Sequence, residues 1–368
     1  MTEWCECLTR LLGIYSFVKL HSVVYPPPMK PIFFLALLLL LTACTPRVPV
    51  EEQSTNQPSN TVEMAGQPEA APVKPAELQS PHPLSVIAFA QREFTGSNLV
   101  IGPILETTNA YTRHYITYQS EGLKISGIIN IPHSDGPFPV LILNHGHIDT
   151  SIYTNGRGLK REQDYLARKG YVVLHTDYRN HADSDKVDPD ELRFRLGYTE
   201  DAINAVNAVR ASHDPRFDKD NIGMLGHSMG GGVTQNVMTM KPGFINAFVL
   251  YAPVSSDYSD NFRRWTRSRT EIADRIVREF GTASSSPEFW RNLSPINFFD
   301  RVTEPVQIYH GTADDSVPIE WSHRTRDTLQ AAGKDVELIV YDNAPHEFIN
   351  NFPAFMRGVT AFFDQHLK

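Results

Sequence analysis

The chain has almost no cysteine: three in 368 residues, and none after Cys44. That excludes a cysteine nucleophile, an intradomain disulfide and thiolate metal ligation from everything downstream. It lacks a basic balance, with a formal net charge of −8, so no nucleic-acid partner is expected. It lacks a hydrophobic run long enough to cross a membrane. The run Ile32 to Leu41 has ten apolar residues, against the roughly 20 a spanning helix needs. Between 45 and 83 there is no Phe, Trp or Tyr but there are eight prolines, so this stretch has too little apolar surface to offset its own ordering entropy.

What is present at the front reads as an address. Met29-Lys30 precedes the apolar run, and Leu41-Thr42-Ala43-Cys44 follows it. Ten apolar residues suit a secretory signal rather than a buried helix or a membrane anchor. The four residues after them resemble the lipobox of bacterial lipoproteins, in which the cysteine thiol accepts a diacylglyceryl group. That resemblance implies a start at Met29, residues 1–28 as an extension without a structural role, a signal peptide over 29–43 and lipidation at Cys44. Residues 44–83 would then be a tether, spanning roughly 35 Å as a flexible coil, with the folded domain at 84–368. The expected location is extracytoplasmic, anchored to a membrane through Cys44. Thr45 rather than Asp after the cysteine favours the outer membrane where there is one.

From residue 84 on, strand and helix patterns alternate. Helices are expected over 84–92, 159–168, 198–211, 230–240, 318–332 and 352–366. Strands are expected over 98–105, 113–119, 123–131, 138–144, 171–175, 222–226, 247–251, 306–309 and 337–340. The second and third strands form a hairpin at Glu121-Gly122. The run FPVLILN at 138–144 is apolar throughout, as a strand covered on both faces must be. The alternation implies an α/β protein with a mostly parallel central sheet and helices on both faces, with its sites at the carboxyl ends of the strands. Residues 257–300 break the rhythm. Two helix-like stretches, 264–280 and 288–291, read as a small helical cap inserted over that edge.

The sharpest chemical signal is Gly226-His227-Ser228-Met229-Gly230-Gly231. This G-x-S-x-G stands between an expected strand and an expected helix, the context the nucleophile elbow requires. Side chains beside so tight a turn would clash, hence Gly226 and Gly230. Ser228 needs a base to take its proton. Of the downstream histidines, His346 lies in a loop between the last strand and the last helix, where it can serve. His310 closes a strand, His323 falls in a helix and His366 is near the terminus. The acid lies in HGTADDSVP, where Asp314 is preferred over Asp315, a residue that could instead shape the loop. A tetrahedral intermediate needs two amide donors. The backbone N–H groups of Met229 and of His147, in the loop after FPVLILN, are the candidates.

That loop also permits a metal reading. His145-Gly146-His147-Ile148-Asp149 fits H-x-H-x-D, part of the signature of metallo-β-lactamase-like hydrolases. Thr150 stands where that signature continues with histidine, and no metal or organic cofactor is expected. In the cap, Arg263, Arg264, Arg267 and Arg269 form either a basic rim for an anionic group or a solvated face. The aromatics Phe262, Trp265 and Trp290 either pack or bind.

Taken together, Asn144-His145-Gly146, Asp177-Tyr178-Arg179, Asp214-Pro215-Arg216, GHSMGG, HGTADDSVP and APHEF resemble the α/β-hydrolase fold. Within it they are similar to the catalytic domains of the prolyl oligopeptidase and dienelactone hydrolase group. Asn180 stands where the common pattern has glycine. The resemblance implies a Ser228, Asp314, His346 triad and a serine hydrolase. The expected substrate is a small or medium acyl ester. A short peptide, or a non-catalytic binding role, are the alternatives.

Overall fold

The computed structural model describes residues 81–368 apart from 189. The lipobox, Cys44 and the tether lie outside the described residues. Nine strands form one sheet: β1 (Ser97–Thr107), β2 (Tyr111–Ser120), β3 (Leu123–Pro132), β4 (Phe138–Asn144), β5 (Val172–Thr176), β6 (Phe217–His227), β7 (Ala247–Tyr251), β8 (Val306–Gly311) and β9 (Val336–Tyr341). Their order is β1-β2-β3-β5-β4-β6-β7-β8-β9. The first three strands join antiparallel, and β5, β4 and β6 to β9 run parallel. Glu121 and Gly122, at φ 51° and 81°, make the two-residue turn of the β2–β3 hairpin, a geometry that favours glycine.

Composition explains the middle of the sheet. All seven residues of β4 and all five of β7 are buried. Val140 and Ile142 face one core, with Met224, Leu250, Ala202, Val206 and Val237. Leu141 and Leu143 face the other, with Leu166, Val249, Phe355 and Phe363. Helices α3 (Leu196–Ala211) and α4 (Met229–Met240) cover the first face. Helix α2 (Lys160–Arg168) and the C-terminal helix (Phe352–Leu367) cover the second. A short helix ahead of β1, α1 (Val86–Gln91), packs Val86 and Phe89 against Leu196, Met240 and Leu293. The buried Arg179, after β5, grips Asp201 of α3 with Nε and Nη2 at 3.1 and 2.8 Å.

The chain leaves β4, crosses to β5 on one side, then returns to β6 on the other. The strand order therefore reverses at β4, and Asn144 lies in register with Gly226. Such a switch point leaves a crevice beyond the carboxyl ends of the two strands.

The cap lies between β7 and β8. The expected helix over 264–280 is split. Residues Phe262–Thr266 form a π-helical turn and a separate helix covers Thr270–Phe280. Between them Arg269 leaves helical geometry at φ −91°, ψ 74°. The sequence Thr266-Arg-Ser-Arg-Thr270 explains the break: the Ser268 hydroxyl bonds the Trp265 carbonyl, and such local bonds compete with helix continuation. The segment's aromatics mostly pack. Phe280 and Phe289 stack at 4.7 Å, and Trp290 is buried with its Nε1–H donated to the Gly281 carbonyl at 3.2 Å.

Candidate active site

Ser228 sits on the one residue between β6 and α4. Its backbone is held at φ 55°, ψ −119°, a conformation L residues rarely adopt. Its N–H donates to the Tyr251 carbonyl at 3.0 Å, and its carbonyl accepts from Gly231, Gly232 and Val254. The flanking glycines are required by space. A Cβ on Gly226 would stand 2.2 Å from the Gly230 carbonyl oxygen, and one on Gly230 2.0 Å from that of Asn144. The loop after β4 is equally close, with a Cβ on Gly146 meeting the Ser228 Cβ at 3.2 Å.

Asp314 and His346 arrive from the ends of β8 and β9. His346 Nδ1 lies 2.7 Å from Asp314 Oδ2. A carboxylate only accepts, so Nδ1 carries the proton and Nε2 is left with its lone pair. The other oxygen, Oδ1, accepts the backbone N–H groups of Ser316 and Val317 at 2.9 and 2.8 Å. Burial alone would raise this carboxyl's pKa, but the hydrogen bonds from His310, His346 and Val317 hold it well below the usual carboxylate range. The neighbouring Asp315 is exposed, and among the described residues its side chain bonds only the Ser316 hydroxyl.

Two histidines brace this pair in ways the sequence did not disclose. His310 is fully buried, and its Nε2 lies 3.0 Å from Asp314 Oδ2 and 3.1 Å from the Val317 carbonyl. Both are acceptors, so Nε2 carries the proton, and Nδ1 meets the Ser322 hydroxyl at 2.7 Å. Asp314 Oδ2 is thus shared by two imidazoles. His227, inside the elbow, donates Nε2–H to the His346 carbonyl at 3.3 Å and packs its ring 4.6 Å from that of His346. Burial pushes the His227 pKa down to about 3, so it braces as a neutral ring. The signal for both was their position one residue from a motif landmark, His310 before Gly311 and His227 before Ser228.

Ser228, Met229, His147 and His346 line one cavity of about 960 Å³. Neither the Met229 nor the His147 backbone N–H donates a hydrogen bond among the described residues. Cap residues Phe262, Arg264 and Trp265 form part of the wall. The His147 ring has a lowered pKa, through desolvation first and then the positive charge of Arg195.

The metal reading of the same loop finds a different arrangement. His145 is fully buried, with Nδ1 2.7 Å from the Gly146 carbonyl and Nε2 3.3 Å from that of Asp177. Asp149 turns onto the Ser151 N–H and hydroxyl, both at 2.8 Å. Among the described residues no three His, Cys, Asp or Glu side chains group as a metal site would need.

A mostly parallel sheet reversing at β4, with a serine elbow on β6 and an Asp–His pair on the last two strands, defines an α/β-hydrolase of the serine type. Residues 158–368 match the prolyl oligopeptidase family, and the chain belongs to that family of serine hydrolases. It is 25% identical over 316 residues to the uncharacterized peptidase YuxL of Bacillus subtilis, covering 80% of this chain and 44% of that one. It is 24% identical over 261 residues to esterase EstD of Thermotoga maritima, covering 64% of this chain and 61% of the esterase. The fold is shared with the acylaminoacyl peptidase of Pyrococcus horikoshii, at a TM-score of 0.56 and 21% identity, over 71% of this chain and 43% of that one. It is shared also with an acetyl xylan esterase of Paenibacillus sp. R4, at a TM-score of 0.58 and 17% identity, over 76% and 92%. The chain thus spans under half the length of the peptidases YuxL and acylaminoacyl peptidase.

Proposed function

We propose that this protein is a carboxylesterase that cleaves small or medium acyl esters through an acyl-enzyme. Ser228 attacks the carbonyl carbon as His346 Nε2 takes its proton. The Met229 and His147 amides hold the oxyanion, and His346 returns the proton to the departing alcohol. Asp314 fixes the His346 tautomer and stabilises the imidazolium that forms. Water then attacks the acyl-enzyme with His346 as base. The observation that carries this reading is the meeting of Ser228, His346 and two unengaged amides in one cavity. An oxyanion needs donors that are not already spent.

A peptidase is the second reading, favoured by the relatives that are named peptidases. An exopeptidase that grips a free amino end needs carboxylates in its cavity. Here the charged wall carries three arginines, Arg195, Arg264 and Arg269, against two aspartates, Asp149 and Asp315. That balance favours the ester. The test compares wild type and Ser228→Ala on p-nitrophenyl acyl esters and aminoacyl p-nitroanilides. Ester turnover that vanishes in the variant is expected. Anilide turnover at comparable rates would make the protein a peptidase. The proposal includes an extracytoplasmic location with the enzyme held by lipid at Cys44, which rests on the sequence of residues 29–44.

A further inference from the structure

Two of the cap arginines are held by partners within the protein. Arg263 pairs with Asp260. Arg264 donates Nε and Nη2 to the carbonyls of Ser316 and Asp315, at 2.9 and 3.1 Å. A different arginine lines the cavity from outside the cap. Arg195 immediately precedes α3, and with Phe194 it occupies two successive left-handed positions, φ 52° and 59°. Neither residue is a glycine, so the surrounding structure must enforce this geometry.

The Arg195 guanidinium has one side-chain acceptor among the described residues, the Met229 sulfur, 3.0 Å from Nη1. A thioether is a weak acceptor, while a guanidinium carries five donors and a charge that never leaves. The acidic residues of the same wall do not answer it. Asp149 makes its side-chain bonds to Ser151 and Asp315 to Ser316, and neither meets Arg195. A fixed cation, half-buried in a cavity and without a carboxylate partner among the described residues, is matched by an anion that arrives with the substrate.

We infer that Arg195 is a specificity-determining residue that binds a carboxylate on the substrate. This rests on the reading of Ser228 as the nucleophile. Met229 supplies the amide beside Ser228 and the sulfur beside Arg195, so the carboxylate sits one methionine side chain away from the carbonyl under attack. The ω-carboxylate of a short dicarboxylic half-ester fits that placement. An anionic group on the alcohol is the other source of the same chemistry.

The experiment uses the full chain. One arm compares kcat/KM for the p-nitrophenyl half-ester of adipic acid with that for p-nitrophenyl hexanoate. The other compares hexanoate esters of 3-carboxy-4-nitrophenol and of 4-nitrophenol. A preference of about tenfold or more for the anionic member is expected in one arm, the range of a charged hydrogen bond. It falls to about one in Arg195→Gln and is partly kept in Arg195→Lys. No anionic preference in either arm, or the same preference in Arg195→Gln, overturns the inference while leaving the esterase reading intact. If no ester is turned over in a Ser228-dependent way, the esterase reading fails and calorimetry on Ser228→Ala decides. Adipate binding that weakens at least tenfold when Arg195→Gln is added upholds the anion site, and no adipate binding overturns it.

Discussion

Asp314→Asn isolates what the carboxylate does, because the structure dictates how the amide must sit. Oδ1 accepts two backbone N–H groups, from Ser316 and Val317, at 2.9 and 2.8 Å. The asparagine oxygen has to take that place, and the amide nitrogen then replaces Oδ2, facing His346 Nδ1. Two N–H donors cannot share one hydrogen bond. His346 therefore shifts its proton to Nε2, the atom that should accept from Ser228. The expected loss in kcat is about ten-thousandfold, the scale of holding the base in the wrong tautomer. The fold should persist, because both backbone bonds and the side-chain volume are kept. Losing the charged bonds to His346 and His310 costs about 2 kcal/mol at neutral pH, read as a Tm lower by about 5 °C. The sign with pH follows from the depressed carboxyl. Its stabilisation is complete above the unfolded value of about 4 and is lost as pH falls from there through the folded value. The Tm gap between wild type and variant should therefore narrow below about pH 4. Ester turnover and thermal unfolding between pH 3 and 8 check both limbs. A folded variant within tenfold of wild-type kcat, or an equal loss in Asp315→Asn, would refute the reasoning.

Three other outcomes follow from the same geometry and from the sequence. His310→Phe, which deletes the second donor to Asp314 Oδ2, should lower kcat about 10- to 100-fold with little change in KM; His310→Gln, keeping an N–H donor, should recover part of it. Gly230→Ala places a Cβ 2.0 Å from the Asn144 carbonyl oxygen and 2.6 Å from that of His145, so an unfolding midpoint in urea should report a loss of about 3 kcal/mol or an insoluble protein. Cys44→Ser should move the protein from the membrane fraction to the soluble fraction on cell lysis, since the lipid would have no thiol to join.

Legibility in the sequence tracked how local each physical cause was. The β4 and β7 runs announced themselves because a strand buried on both faces has no polar position to spare. The elbow was legible because strand, G-x-S-x-G and helix are contiguous, and its glycines are forced by contacts within a few residues or with the adjoining strand. Asp314 and His346, 32 residues apart, were placed only through their order and the loops that hold them. Periodicity overstated the cap helix, since it does not weigh the Ser268 hydroxyl, which bonds the Trp265 carbonyl, against the helix backbone. His310 read only as the close of a strand, because a strand-end histidine before glycine has many uses. Only the turn of the Asp314 loop back over β8 shows which atom it meets.

Arg195 marks where reading by pattern ends. It stands in the stretch between β5 and α3, where no period of two or 3.6 operates, and nothing beside it in the sequence distinguishes it from Arg193, two residues earlier. The two have opposite surroundings in the fold. Arg193 pairs with the buried Glu200 of α3 at 2.7 Å, whereas Arg195 meets a methionine sulfur at the cavity wall. The difference comes from the left-handed backbone at Phe194 and Arg195, which turns the chain just as α3 begins. One arginine is thereby committed to an internal partner and the other to the cavity. Charge counted along the sequence left the cap arginines open between a basic rim and a solvated face, because what a charge can bind depends on what surrounds it. By that measure the cation that selects substrate is Arg195, outside the cap and beside the residue that follows the nucleophile.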